Sequence, residues 1–475
     1  MSRGWEWPAL SIASQAQHEV RSSVHLTPTP VRSSVQGCLR LCRSDGDVSR
    51  DEQARHQLRH PEQPRLGEAV RLLAFAYACE PEEGSEPGAG WMWARMLARH
   101  GETWVITRTN NRERIEAAFG DLPERDRLHP VYVDLPGWAR FWKRGPRGLR
   151  LYYLLWLLAA LRVGRRLHRS MRFDVTWHLT LANAWLGSSG ALVGSPFVFG
   201  PVGGGVAPPW SLVWPTGARS VASEILRAAS RAVGRYLNPL ARLSWRRAIV
   251  ILAQNPDTVA WLPRQHRSKA RVIPNVVFST HSDSGRPGDD RPRTALFAGR
   301  LIPWKGADLA IAAVSKTRDW RLIIYGEGPD EHRLRGIVRR AGVGDRVEFR
   351  GHVARGELLG AMRTEAGVFL FPSLHDEAGW VVAEAVAAAL PVVCLDKGGP
   401  PLLANGLAVT VPVHGGRAVV TSRLSAALER ARTMSTSTGD VSDAYWIERR
   451  AASISSIIQP LLGGRPVAGK DDEDR

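Results

Sequence analysis

Val368-Phe369-Leu370-Phe371-Pro372-Ser373-Leu374-His375-Asp376-Glu377-Ala378-Gly379-Trp380-Val381-Val382-Ala383-Glu384-Ala385-Val386-Ala387-Ala388-Ala389 is the stretch that decides the fold. Four apolar residues make a short buried strand, Pro372 stops it, and a polar turn follows. From Trp380 the apolar, alanine-rich run is too long for a strand and reads as a helix, Trp380–Ala389. Another apolar strand, Pro391–Leu395, comes next. Strands that are apolar on both faces, joined through helices, belong to a parallel sheet covered on both sides.

Working back from this unit, the same alternation repeats. Strands are expected at Ala295–Ala298, Arg321–Tyr325, Val347–Arg350 and Val368–Phe371, with helices at Ala307–Lys316, Glu331–Ala341 and Gly356–Arg363. Five strands with crossover helices make a complete doubly wound unit. The N-terminal half alternates less cleanly. Order begins at the strand-like run Val70–Tyr77, followed by a helix over Trp91–His100, a strand at Thr103–Thr107 and a helix at Arg112–Phe119. Short β-type runs at Val175–His178, Phe197–Phe199 and Ile249–Ala253 precede a closing strand around Val272-Ile273-Pro274-Asn275-Val276-Val277. The expected fold class is therefore α/β, with two Rossmann-like doubly wound domains. A chain of 475 residues is too long for one ordinary core.

The expected boundaries follow from composition. Residues 1–69 mix Ser, Arg, Gln, His and Pro without periodicity and read as a disordered extension. The first domain covers 70–277, a Gly-, Pro-, Asp- and Ser-rich linker 278–293, the second domain 294–440, a C-terminal helix 441–462 and a charged tail 463–475. No charged start followed by an apolar stretch marks a signal peptide.

The formal charge is +18, and it is local. Trp138–Ser170 carries nine Arg or Lys and no acid, and Arg219–Arg247 carries seven Arg against the single acid Glu224. Nucleic acid, an anionic membrane surface and an acidic substrate are the partners such charge admits, beside a plain Arg-rich surface. No zinc-finger spacing or basic-leucine pattern supports nucleic acid. The longest apolar run, Leu151–Leu161, makes a helix of ~16 Å against a bilayer core of ~30 Å. It cannot span, but flanked by Arg150 and Arg162–Arg169 it could lie in a membrane interface, or else in the core. Of the cysteines, Cys38 and Cys42 fall in the extension, while Cys79 and Cys394 sit in apolar runs. No disulfide framework or metal site is implied, which suits a cytoplasmic protein.

Ligands of open parallel sheets bind at the carboxyl ends of strands. The first strand of the second half ends in Gly299-Arg300, and Lys305-Gly306 opens the next helix, so Arg300 and Lys305 can converge on one diphosphate. The second strand ends in Gly326-Glu327-Gly328-Pro329, where glycine lets backbone approach a nucleotide. Asp376 and Glu384 can grip two parts of one ligand, one accepting from sugar hydroxyls and one from ribose hydroxyls. The amides of Gly379 and its neighbour Trp380 add donors. The plain alternatives are an N-cap for Asp376 and a solvated helix position for Glu384. A lone acid in so apolar a helix needs a partner, which favours function.

These motifs, from Ala298-Gly299-Arg300 through Lys305-Gly306 and Tyr325-Gly326-Glu327-Gly328-Pro329 to Asp376 and Glu384-Ala385, resemble the C-terminal half of retaining glycosyltransferase family 4. The resemblance implies the GT-B architecture. The family's two acids, seven residues apart, are matched by Asp376 and Glu384, with Asp standing where most members have Glu. It implies that Asp376 meets the donor sugar, Glu384 the ribose, and Arg300 and Lys305 the diphosphate. In the N-terminal half, Gly84-Ser85 opens a loop similar to the family's glycine loop near the donor phosphates, and His178 falls where relatives place a histidine against the donor sugar. Gly200-Pro201-Val202-Gly203-Gly204-Gly205 resembles a cleft-lining loop of one branch. The reaction so implied moves a sugar from a nucleoside-diphosphate sugar to an acceptor hydroxyl with retention, through a same-face displacement assisted by the leaving phosphate. It needs no cofactor and no metal, and the only notable Asp-x-Asp, Asp45-Gly46-Asp47, lies in the extension. The implied partners are a nucleotide-sugar donor and a glycan or lipid-linked acceptor of polysaccharide, glycolipid or envelope synthesis. Separately, the basic, aromatic span from Trp138 to Arg169 gives an anionic inner-membrane face as an expected partner. A sugar-nucleotide epimerase, a phosphorylase and a non-catalytic partner-binding protein on the same scaffold stay open.

Overall fold

A computed structural model describes residues 70–81, 83–137, 149–277, 291–404, 406–434 and 447–462. The expected disorder of 1–69, with Cys38, Cys42 and Asp45-Gly46-Asp47, lies outside the described residues. So do most of the expected linker, 278–290, and the tail 463–475.

The first sheet holds β1 (Arg71–Ala76), β2 (Glu102–Arg108), β3 (Leu128–Val133), β4 (Val175–Thr180), β5 (Phe197–Val202), β6 (Ala248–Ala253) and β7 (Ala270–Val272). Its order is β3-β2-β1-β4-β5-β6-β7, and every pairing is parallel. The second sheet holds β8 (Thr294–Ala298), β9 (Arg321–Tyr325), β10 (Val347–Gly351), β11 (Val368–Phe371), β12 (Val392–Leu395) and β13 (Ala408–Val411). Its order is β10-β9-β8-β11-β12-β13, again all parallel.

The strand period of two sorts β1 between two cores. Leu72, Ala74 and Ala76 face a cluster with Trp93 and Leu97 of the Ser85–Ala98 helix, whereas Leu73, Phe75 and Tyr77 face Trp156 and Leu157 of the Leu149–Met171 helix. The C-terminal helix Ile447–Ile458 follows the second sheet in sequence yet packs Ile447, Ile454 and Ile458 into the first cluster. Both sheets consequently lie in one compact unit.

Four sequence expectations change. The second sheet has a sixth strand, β13, and the helix Gly416–Arg432 covers it. β3 went unread because its interior, His129–Tyr132, is only partly buried and carries Pro130, which an edge strand tolerates. The closing strand stops at Val272, just before Pro274, and Ile273–Val277 are not strand. The helix expected from Trp91 starts six residues earlier, at Ser85. Gly88 and Gly90 lie inside it because a Cβ there would come 1.9 Å from the Glu83 carbonyl oxygen and 2.0 Å from that of Ala78.

Candidate functional site

In the second sheet the chain runs outward in one direction from β8 through β9 to β10, and in the other from β11 to β13. The crevice between β8 and β11 is thus the topological switch point, where ligands of such sheets bind. Arg300 and Lys305 follow β8, and Asp376 follows β11. Gly306 lets the two loops meet: it holds φ +76°, and a Cβ there would lie 2.1 Å from the Pro372 carbonyl oxygen. With the loops so close, the Lys305 ammonium donates to Asp376 Oδ2. The same ammonium sits 4.5 Å from the Trp304 ring centre and 5.3 Å from that of Phe371. One carboxylate and two ring faces therefore hold the cation in place. Arg300 is exposed and forms no ion pair with a described residue. Gly326 packs as tightly beside it, with φ +122° and a Cβ position 2.1 Å from the Gly299 carbonyl oxygen. Gly328 similarly abuts Leu301.

Gly379 precedes the helix Trp380–Ala387. Glu384 lies buried in that helix and accepts from Arg355 Nε at 2.8 Å. Burial raises the Glu384 pKa, and the Arg355 charge and hydrogen bond oppose the rise. The lone acid thus has the partner its apolar surroundings demand, but that partner was not legible: Arg355 is one Arg among many, placed by β10 ending at Gly351. The two acids have separate cations, Lys305 and Arg355. Trp380 turns its indole N–H to Asn275 Oδ1 at 3.1 Å, while the Asn275 carbonyl accepts from Trp93 Nε1 at 3.0 Å.

Three further side chains, none singled out by the sequence, tie the chain after β11 and β12 to segments of the N-terminal half. Glu377 accepts from Val206 N (3.2 Å), Asn255 Nδ2 (2.9 Å) and Thr258 Oγ1 (3.1 Å), and Gly203 leaves the room it occupies. His375 Nε2 lies 3.0 Å from Glu224 Oε1 with both side chains buried, and its ring stacks on Trp304. Asp257 bonds both Lys397 Nζ and Gly398 N at 2.9 Å. Their one sequence signal was local: Glu377 and His375 flank Asp376, and Glu224 is the lone acid of a basic span.

The first sheet has its own switch point, between β1 and β4. Glu86, in the first turn of the Ser85–Ala98 helix, spans it by accepting from the Ala182 amide. Burial raises its pKa to about 6 against the pull of that amide. Gly84 is the exposed residue before this helix, and Ser85 opens it with φ +62°. His178 lies fully buried in β4, with Nε2 2.9 Å from the Leu181 carbonyl and its ring against Phe199. Burial lowers its pKa to about 4, and no hydrogen bond connects it to Lys305 or Asp376. Among the described residues no group of His, Cys, Asp and Glu is arranged to hold a metal ion.

Solved structures share this fold. Anabaena HepE, crystallised with UDP and glucose, matches with a TM-score of 0.52 at 16% identity, over 82% of this chain and 100% of that one. Sucrose-phosphate synthase of Thermosynechococcus elongatus gives a TM-score of 0.54 at 16% identity, over 83% and 99%. The fold is the α/β GT-B fold. Residues 282–407, which include Arg300, Lys305, Asp376 and Glu384, match the family model "Glycosyl transferases group 1". The chain thus combines a GT-B fold with a segment, residues 282–407, that is similar to group 1 glycosyltransferases. Among curated relatives, the GDP-mannose-dependent alpha-(1-6)-phosphatidylinositol monomannoside mannosyltransferase of Mycobacterium tuberculosis is 30% identical over 42% of this chain and 58% of its own length. The 2-deoxystreptamine glucosyltransferase of Streptomyces kanamyceticus is 32% identical over 28% of this chain and 34% of its own. The chain thus spans less than two thirds of these relatives.

Proposed function

We propose that this chain transfers a glycosyl group from a nucleoside-diphosphate sugar to an acceptor hydroxyl with retention of configuration, as a hexosyl-type enzyme of glycosyltransferase family 4. The observation that carries the reading is the Lys305–Asp376 pair at the β8–β11 switch point, with Arg300 in the same loop. Two cations there offset the charge that builds on a departing diphosphate, the task a metal ion performs elsewhere, so the reaction needs none. Asp376 carries an acceptor oxygen toward the donor sugar while it orients the Lys305 ammonium. Glu384, kept in place by Arg355, accepts from the ribose. The leaving phosphate itself guides the acceptor to the same face of the sugar.

One relative acts on phosphatidylinositol monomannoside, which supports a lipid-linked acceptor, and another on 2-deoxystreptamine, a small cyclitol, so the acceptor reading rests on the first. Thermal unfolding with UDP, GDP, ADP and dTDP, then with their sugars, identifies the donor. A ligand bound at a hundred times its Kd stabilises by about 2.7 kcal/mol. Product analysis with the labelled sugar nucleotide then decides: transfer to an acceptor supports the reading. An epimerised nucleotide sugar, or no response to any nucleoside diphosphate, refutes it.

A further inference from the structure

The helix Leu149–Met171 has one side fixed against the first sheet. Tyr153, Trp156, Leu157 and Ala160 are buried in the cluster around Leu73, Phe75 and Ile106. At Gly164 a Cβ would come 3.0 Å from Phe75 Cζ, so the backbone lies hard against the sheet. The helix cannot roll, and its opposite face is set. That face carries Leu151, Leu154 and Leu158, which are 54%, 45% and 52% exposed. One to three turns further along it carries exposed Arg162, Arg165, Arg166 and Arg169. The spacing of three and four residues places all seven on one stripe. The helix contains no acid, and Arg162, Arg166 and Arg169 form no ion pair with a described residue. No helix among the described residues is long and apolar enough to cross a membrane.

We propose that this stripe docks the protein on an anionic lipid bilayer. The leucines enter the boundary of the acyl chains, and the arginines beyond them bind headgroup phosphates. Charge complementarity selects this occupant. A nucleic acid would satisfy the arginines and leave three adjacent leucines in water, and an apolar groove of a protein would do the reverse. Guanidinium is weakly hydrated and forks onto phosphate oxygens, which suits it to that boundary. The inference stands on this helix alone and does not depend on the transferase reading.

Flotation with vesicles of equal parts phosphatidylcholine and phosphatidylglycerol tests it, with phosphatidylcholine vesicles as the comparison. The full chain is expected to float with the anionic vesicles at low salt and not with the neutral ones. The variant Leu151→Ser/Leu154→Ser/Leu158→Ser is expected to lose about tenfold or more in vesicle affinity. Arg162→Gln/Arg166→Gln/Arg169→Gln should lose both affinity and its salt dependence. All six side chains are exposed, and an unchanged melting temperature verifies that each variant is folded. Absence of flotation on anionic vesicles overturns the proposal. Equal flotation on neutral ones, or wild-type affinity in the leucine variant, overturns it too. Binding of duplex DNA in place of vesicles assigns the arginines to nucleic acid and likewise overturns it.

Discussion

Lys305 is the residue on which the candidate site turns, because its ammonium is shared between a carboxylate and two aromatic faces. A charge so restrained needs little reorganisation when a diphosphate leaves, and that preorganisation is where such sites gain rate. Replacing Lys305 or Arg300 by Ala should lower kcat by about two to three orders of magnitude, read in steady-state kinetics. Near-normal turnover in both would remove them from the diphosphate. Glu384→Gln keeps the shape but loses the charge that Arg355 faces. It is expected to raise the donor KM by about ten- to a hundredfold, the worth of a hydrogen bond to a charged group. An unchanged KM would return Glu384 to a purely structural role.

The helix Ala218–Tyr236 and the loop after β11 are joined through Glu224 and His375. Burial alone would raise the Glu224 pKa. The His375 hydrogen bond, with the charges of His375, Arg227 and Arg231, outweighs burial and holds it below the ordinary 4.5. A depressed carboxyl stabilises the native state fully above its unfolded pKa, and that contribution disappears as pH falls through the folded one. Glu224→Ala should therefore cost about 3 kcal/mol at neutral pH, the effect of breaking a buried pair. The gap in melting temperature between wild type and variant should shrink below about pH 4. A gap that is constant with pH would show that the pair contributes no charge term.

Among the buried histidines of the described residues, His100 and His178 have pKa values that burial lowers to about 4. An unfolded histidine takes up its proton near 6.5, so between about pH 6.5 and 4 the unfolded state binds more protons than the native one. Stability should fall with acidification across that window, measured as the urea midpoint. His178→Asn should flatten the slope. A slope unchanged in that variant would mean that His178 titrates alike in both states.

The second sheet was largely legible in the chain because its evidence is local: four- and five-residue apolar strands, glycine turns and helices of the right length. β9 and β11 fall at their expected bounds. The Asp376 and Glu384 spacing was legible for the same reason. Strand order, by contrast, is a property of the assembled sheet. Only in three dimensions do β8 and β11 become neighbours, so that Lys305 and Asp376, 71 residues apart, meet. Arg355 closing on Glu384, Glu377 gripping the Asn255–Thr258 corner and the C-terminal helix returning to the first sheet also depend on contacts between distant segments. Local periodicity carries the element; long-range packing decides which charged side chains share a place.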